Sequence, residues 1–341
     1  MKKIKNKAKL NSFGVLLKRN KDKELPTDFC LNICRGDVGF LFGPAKAGKS
    51  IFAENFAMNL ASGRKKFIGL PINKPKSKVF YVSLEEDVNV RMIKRGIKQI
   101  STFNEAEIRN IEKNLIYSDE GFINCIDTSN DWKILKSSIE EVKPDIVIID
   151  SINRFNKDIE KRKLANPIME ELRYISNHFN CSIILLHHTN KQYGNKQIDM
   201  HSMSGSSALS RNAEFFIGIN KIENTRYVKF VVNRFSADEG NCKSFEINDN
   251  LIIDNFKDVE EYKLFIDNDG RYKNDNRKLL LECIQDKAKS GGKIRISTLK
   301  KNIVDTELMS NKTLYNSLNS LVTENKIIKV KHGVYKIKDV K

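Results

Sequence analysis

An eight-residue run, GPAKAGKS from Gly43 to Ser50, constrains this chain more than any other feature. It fits G-x-x-x-x-G-K-S without a mismatch, a spacing that makes backbone N–H groups converge on phosphate oxygens. Glycines stand where a side chain would block that approach. The apolar run VGFLF (38–42) precedes the loop, and helical periodicity over Ile51–Leu60 follows it. Strand, loop and helix together give the phosphate-binding context, because the helix turns the positive end of its dipole toward the anion. The spacing predicts an ATP site built by Gly43, Pro44, Ala45, Lys46, Ala47, Gly48, Lys49, Ser50 and Ile51. Lys49 supplies a point charge for the β- and γ-phosphates, and the Ser50 hydroxyl can ligate Mg²⁺.

From Leu31 to Phe235, short apolar runs alternate with helix-like stretches, the pattern of a largely parallel α/β sheet. Strands are predicted at 38–42, 78–84, 145–150, 181–188, 215–219 and 227–235. The first four are apolar on successive residues, as expected where helices cover both faces. The fold class is therefore α/β, with a mostly parallel twisted sheet flanked by helices. A second helix is predicted over Pro167–Phe179. After Asp258 the chain turns polar, which predicts a linker over 258–275 and an ATPase domain over 25–257.

Three short helical patterns then follow at Arg277–Lys287, Thr298–Val304 and Lys312–Lys326, with Ser297 and Ser310 at N-cap positions of the last two. The stretch KIIKVKHGVYKIK reads as a hairpin turning at His332-Gly333. That order predicts a winged helix over 276–341.

Charge is distributed unevenly, and the distribution narrows the choice of partner. The net charge is +17, of which residues 1–24 carry +7 and residues 271–341 carry +10, so the body between them is neutral. Basic ends on a neutral body point to a polyanion, nucleic acid first. No apolar run reaches the roughly 20 residues of a membrane helix, and no cleavage site follows the basic start, so no membrane partner and a cytoplasmic location are expected. The six cysteines form no C-x-x-C pair, which suits free thiols in a reducing compartment.

Asp150 ends the run IVIID (146–150), which puts a carboxylate at the C-terminal edge of a central strand. That is where a second magnesium-shell residue belongs, so Ser50 and Asp150 are the predicted metal residues. In SLEED (83–87), Glu85 and Glu86 are adjacent and point in different directions, so only one of them can activate water.

With these motifs in order, the chain resembles the RecA-like ATPases and, among them, the RepA-type hexameric replicative helicases of plasmids and phages. The resemblance covers about residues 25–240. It rests on DVGFLFGPAKAGKS, VFYVSLEEDVNVRMIKR, PDIVIIDSI, IILLHHTNK, MSGSSALSRNAEFFIGI and VVNRF. It implies that Lys49 and Ser50 bind phosphate and Mg²⁺, that Asp150 supports the metal, and that Glu85 or Glu86 activates water. The SLE wording favours Glu85, whereas spacing to Arg95 favours Glu86, which takes the preference. His188 or His187 would sense the γ-phosphate, and Arg234 would enter the neighbouring subunit's site in a ring of identical copies. Related helicases often carry a lysine two residues before that arginine, where this chain has Val232.

In RecA-like sheets, single-stranded DNA meets the loops after the strands that here end at Asp150 and at His188. Here those are 151–165, with Lys161 and Arg162, and 190–203, with Lys191 and Lys196. In the C-terminal unit, Lys312 on the third helix and Lys331 on the wing are further candidates for DNA. The implied activity is an ATP-dependent DNA helicase in replication of a plasmid, phage or mobile element. An ATP-controlled DNA-binding switch without unwinding, or a RecA-like recombinase filament, would need the same site in the same fold.

Overall fold

The computed structural model describes residues 11–21, 28–119, 121–155, 162–189, 197–203, 209, 212–233, 240–265, 276–287, 293–305, 309–323 and 326–338. Its first unit holds the strands β1 (Val38–Gly43), β2 (Lys66–Phe67), β3 (Leu70–Pro71), β4 (Val79–Ser83), β5 (Leu115–Tyr117) and β6 (Ile146–Asp150). They are followed by β7 (Ser182–His188), β8 (Phe215–Ile222), β9 (Thr225–Asn233), β10 (Cys242–Ile247) and β11 (Ile253–Val259). β2 and β3 pair with each other. The other nine form one sheet in the order β11-β10-β9-β8-β1-β7-β6-β4-β5. From β8 to β5 the strands run parallel, and β9, β10 and β11 turn antiparallel on the far side.

The continuous apolar runs follow from this layering. On β6, Ile146 and Ile148 face a core shared with Phe52, Phe56 and Leu60 of the helix Lys49–Ser62. Val147 and Ile149 face a second core with Leu135 of the helix Ser129–Val142 and Leu172 of the helix Arg162–Phe179. Successive side chains thus enter opposite cores, so neither face can be polar. Capping boxes at Asn104–Glu107 and Thr128–Asp131 fix where two of the flanking helices start. The sheet flanked by helices agrees with the predicted fold class.

The sheet domain extends past its predicted end at 257, which corrects the linker start at 258. β11 runs to Val259, a short helix spans Glu261–Leu264, and Phe265 is buried in the second core. The physical reason is Glu261. Its buried carboxylate accepts from the Ile198 amide (2.8 Å), the Tyr227 hydroxyl (2.8 Å) and the Lys229 ammonium (2.5 Å). A segment that looks polar in sequence is anchored by a satisfied buried charge.

The second unit has its own core. A helix (Asn276–Lys287), β12 (Lys293–Arg295), a helix (Ile296–Leu299) continued by a π-helical turn (Lys300–Val304) and a helix (Asn311–Thr323) lead to β13 (Ile327–Lys331) and β14 (Val334–Ile337). The strands are ordered β12-β14-β13. Leu280, Ile284, Leu299, Ile303, Leu314, Leu318 and Leu321 close over them. Ser310 caps its helix, accepting from the Thr313 amide at 3.1 Å. Ser297 does not cap, because the preceding helix starts one residue earlier and Ser297 falls inside its first turn. The third strand, β12, lies outside the predicted hairpin.

Near the N-terminus, Ser12 caps a helix, Phe13–Asn20, that exposes Phe13, Leu16 and Leu17. Residues 1–10 and 22–27 of the basic tail lie outside the described residues. Among the described residues no helix is long and apolar enough to cross a membrane.

Candidate active site

β1 ends at Gly43 because nothing larger fits there. A Cβ on Gly43 would lie 1.9 Å from the carbonyl oxygen of Ile219 on the neighbouring β8. Gly43→Ala must push β8 away, and we expect a loss toward the upper end of the ~1–3 kcal/mol typical of overpacking. A urea melt of the variant checks this. The loop then turns through Gly48, at φ +106°, into the helix Lys49–Ser62, whose first bond joins the Phe52 amide to the Gly48 carbonyl at 2.9 Å. The amides before it have no intrahelical partner, as a phosphate cradle requires.

Lys49 is 8 % exposed. Its ammonium donates to the carbonyls of Gly43 (2.9 Å) and Pro44 (3.0 Å) and to Nδ1 of His188 (3.2 Å). Burial pulls its pKa down to about 8, while the charges of Asp150 and Glu85 pull the other way. Since Nδ1 of His188 accepts, the ring proton sits on Nε2. Burial, and then the neighbouring Lys49, lower the His188 pKa, so the ring is kept neutral. His187 is fully buried, its ring centroid 6.1 Å from that of Phe40. Of the two histidines, His188 is the one that reaches the site.

Asp150 lies across from the loop. It accepts from the Tyr81 hydroxyl at 3.0 Å and from the Ser50 hydroxyl. Burial raises its pKa to about 6, partly offset by the Ser50 hydrogen bond. The carboxylate is thus held where a cation would be welcome. Among the described residues no group of three or more His, Cys, Asp and Glu converges as a metal cage. Magnesium needs none here, since it keeps waters and takes phosphate oxygens. The contact between Ser50 and Asp150 fits that pattern, and these two residues would hold the ion.

The two glutamates diverge. Glu85 accepts from the hydroxyl of Ser151, the residue after Asp150, and its charge is felt by Lys49, Asp150 and His188. Glu86 turns instead to Arg95, with Oε2 2.5 Å from Nη2. The spacing to Arg95 that favoured Glu86 in sequence therefore marks an ion pair, and Glu85 is the glutamate facing the phosphate loop. Arg95 also reaches Glu54, a buried residue of the loop's own helix, through Nη2 (2.5 Å) and Nε (3.0 and 3.1 Å). Gln99 donates to Glu54 at 3.1 Å. Sequence reasoning missed Glu54, because a lone acid in an apolar helix carries no signal of its partner 41 positions away.

Other candidates fall elsewhere. Arg234, Lys161, Lys191 and Lys196 lie outside the described residues. Arg162 opens the helix Arg162–Phe179, but its side chain is outside the description. Lys312 and Lys331 are exposed in the C-terminal unit. Arg154, in the first predicted DNA loop, lines a cleft of about 440 Å³ with Glu85 and Glu86.

Residues 29–194 match the family model described as AAA domain (AAA_25). None of the curated proteins matches this chain. A DnaB-like replicative helicase, solved in a study of its interactions with primase, superposes with a TM-score of 0.55 at 14% identity, over 74% of this chain and 68% of that one. A KaiC-like protein from the hyperthermophilic archaeon Pyrococcus horikoshii OT3 gives 0.47 at 16% identity, over 68% of this chain and 99% of that one. With its phosphate loop at the end of β1 and Asp150 at the end of β6, the sheet domain has a RecA-like fold that carries a P-loop motif.

Proposed function

We propose that the chain is an ATP-driven translocase on single-stranded DNA, a replicative helicase of the RepA type that works as a ring of identical subunits. The carrying observation is the convergence of Lys49, Asp150, Glu85 and His188 at the C-terminal ends of four adjacent strands, β1, β6, β4 and β7. Lys49 holds the β- and γ-phosphates. Bound magnesium, on Ser50 and Asp150, would neutralise charge on the phosphate oxygens. Glu85 takes a proton from the attacking water as the bond from the γ-phosphorus to ADP breaks. His188 presents its Nε2 proton to the γ-phosphate and lies directly before the second predicted DNA loop. Loss of phosphate is thereby coupled to residues 190–203.

Arg234 completes the neighbouring subunit's site, stabilising charge in the transition state. The likeness to a DnaB-like replicative helicase supports the ring and the DNA substrate. The C-terminal unit, with its order of helix, strand, two helices and hairpin, serves as a winged helix that holds DNA through Lys312 and Lys331.

ATP hydrolysis with and without single-stranded DNA, beside unwinding of a forked duplex, tests the proposal in wild type, Lys49→Ala and Arg234→Ala. We expect DNA-stimulated turnover and unwinding in wild type and the loss of both in each variant. Turnover without unwinding in the assembled protein would favour a DNA-binding switch. An active Arg234→Ala enzyme would remove the arginine from the shared site.

A further inference from the structure

Asp150, one of the two residues that would hold magnesium, is met by a hydroxyl that no motif announces. Ile146, Ile148 and Asp150 alternate onto one face of β6, and Val79, Tyr81 and Ser83 onto the same face of the adjacent β4. In the register Ser83 stands opposite Asp150, and Tyr81 stands opposite Ile148. The helix Lys49–Ser62 covers this face. From there the Tyr81 hydroxyl crosses to Asp150 and donates to Oδ2 at 3.0 Å. The Ser50 hydroxyl donates to the same carboxylate from the first turn of the helix. Asp150 is thus pinned between the strand beside it and the helix over it.

Tyr81 is itself held rigidly. It is fully buried, and β4 is paired on both edges, with Ile148 on one side of Tyr81 and Tyr117 on the other. Its carbonyl accepts from the Ser118 amide at 3.0 Å, and its ring lies 5.3 Å from that of Tyr117. The ring belongs to the apolar core beneath the helix, where phenylalanine would fill the same space with no buried hydroxyl to satisfy. Here the hydroxyl is aimed at the carboxylate of the metal position. A carboxylate offers about four lone-pair sites. Tyr81 and Ser50 occupy two of them, which leaves the others to an ion or its waters.

We infer that Tyr81 is a positioning residue of the magnesium site, its hydroxyl fixing the rotamer of Asp150 so that the carboxylate meets the ion in one orientation. Partners of this kind orient a metal's ligands without touching the metal, and they work best from a rigid strand. The inference rests on the magnesium reading of Ser50 and Asp150 and adds to it the group that aims the carboxylate.

Isothermal titration of the full chain with ATP, in EDTA and across a series of Mg²⁺ concentrations, tests it in wild type, Tyr81→Phe and Tyr117→Phe. Tyr81→Phe is expected to bind ATP in EDTA within about twofold of wild type, yet to need about tenfold more Mg²⁺ to reach the tighter complex. Tyr117→Phe removes the neighbouring hydroxyl, which is not the donor to Asp150, and should leave both quantities as in wild type. Tyr81→Met also lacks the hydroxyl and supplies the measurement if the phenylalanine variant does not fold. An unchanged or lower Mg²⁺ midpoint, or an equal loss of ATP affinity in EDTA, would make Tyr81 a core residue only and overturn the inference. An equal shift in Tyr117→Phe would do the same, since it would trace the effect to the core and not to the bond. A wild type whose ATP affinity does not respond to Mg²⁺ would bring down the magnesium reading itself, whatever the variants do.

Discussion

Glu85→Gln is expected to lower ATP turnover by about 10²–10³-fold while leaving ATP affinity close to wild type, within about twofold. The amide keeps the shape and can still meet the Ser151 hydroxyl, but it cannot take a proton from water. Glu86→Gln should cost less than about fivefold, because it removes one charge from a partly exposed pair whose other carboxylate, Glu54, keeps Arg95 in place. Single-turnover hydrolysis on both variants, with affinity measured by titration, separates the two residues. A larger loss in Glu86→Gln would return the water-activating role to Glu86 and make Glu85 a partner of Ser151 only.

Arg95→Ala is expected to be the most destabilising single change near the site. It leaves the Glu54 carboxylate, 2 % exposed, with Gln99 as the remaining donor to its oxygens among the described residues. Stranding one partner of a buried pair typically costs about 3–5 kcal/mol. For a domain of this size that is a fall in Tm of roughly 6–20 °C. Replacing both partners, as in Glu54→Leu with Arg95→Met, should recover most of the loss, because the pair's desolvation cost disappears with its attraction. Thermal unfolding of the single and double variants decides the matter. A mild single variant would mean that Glu54 is protonated in the fold, in line with burial raising its pKa. The double variant would still disturb turnover, since Arg95 is what turns Glu86 away from the loop.

The parts of this molecule that were legible in sequence share one physical property: their constraints are local. A phosphate loop is read from eight consecutive residues, and a strand covered on both faces is read from its own apolar run. β10 and β11 were missed because strands with one covered face mix polar and apolar residues, as in CKSFEI. The choice between Glu85 and Glu86 was not local. It is made by Ser151, 66 positions from Glu85, and by Arg95 bridging to Glu54. The end of the sheet domain was misplaced because Glu261 and Lys229 look solvated until they are seen paired.

The position of β1 in the sheet also sets a schedule for synthesis. Val38 pairs with Ile183, and Gly39 with Phe215. At about 5–20 residues per second, a ribosome needs roughly 7–30 s to make the first of those partners after β1 has been made. Throughout that interval VGFLFG, buried along its whole length in the finished fold, has no strand on either edge. An apolar strand with two open edges is a template for pairing with other chains. The segment that becomes the centre of the sheet is therefore the strand that waits longest for its partners during translation.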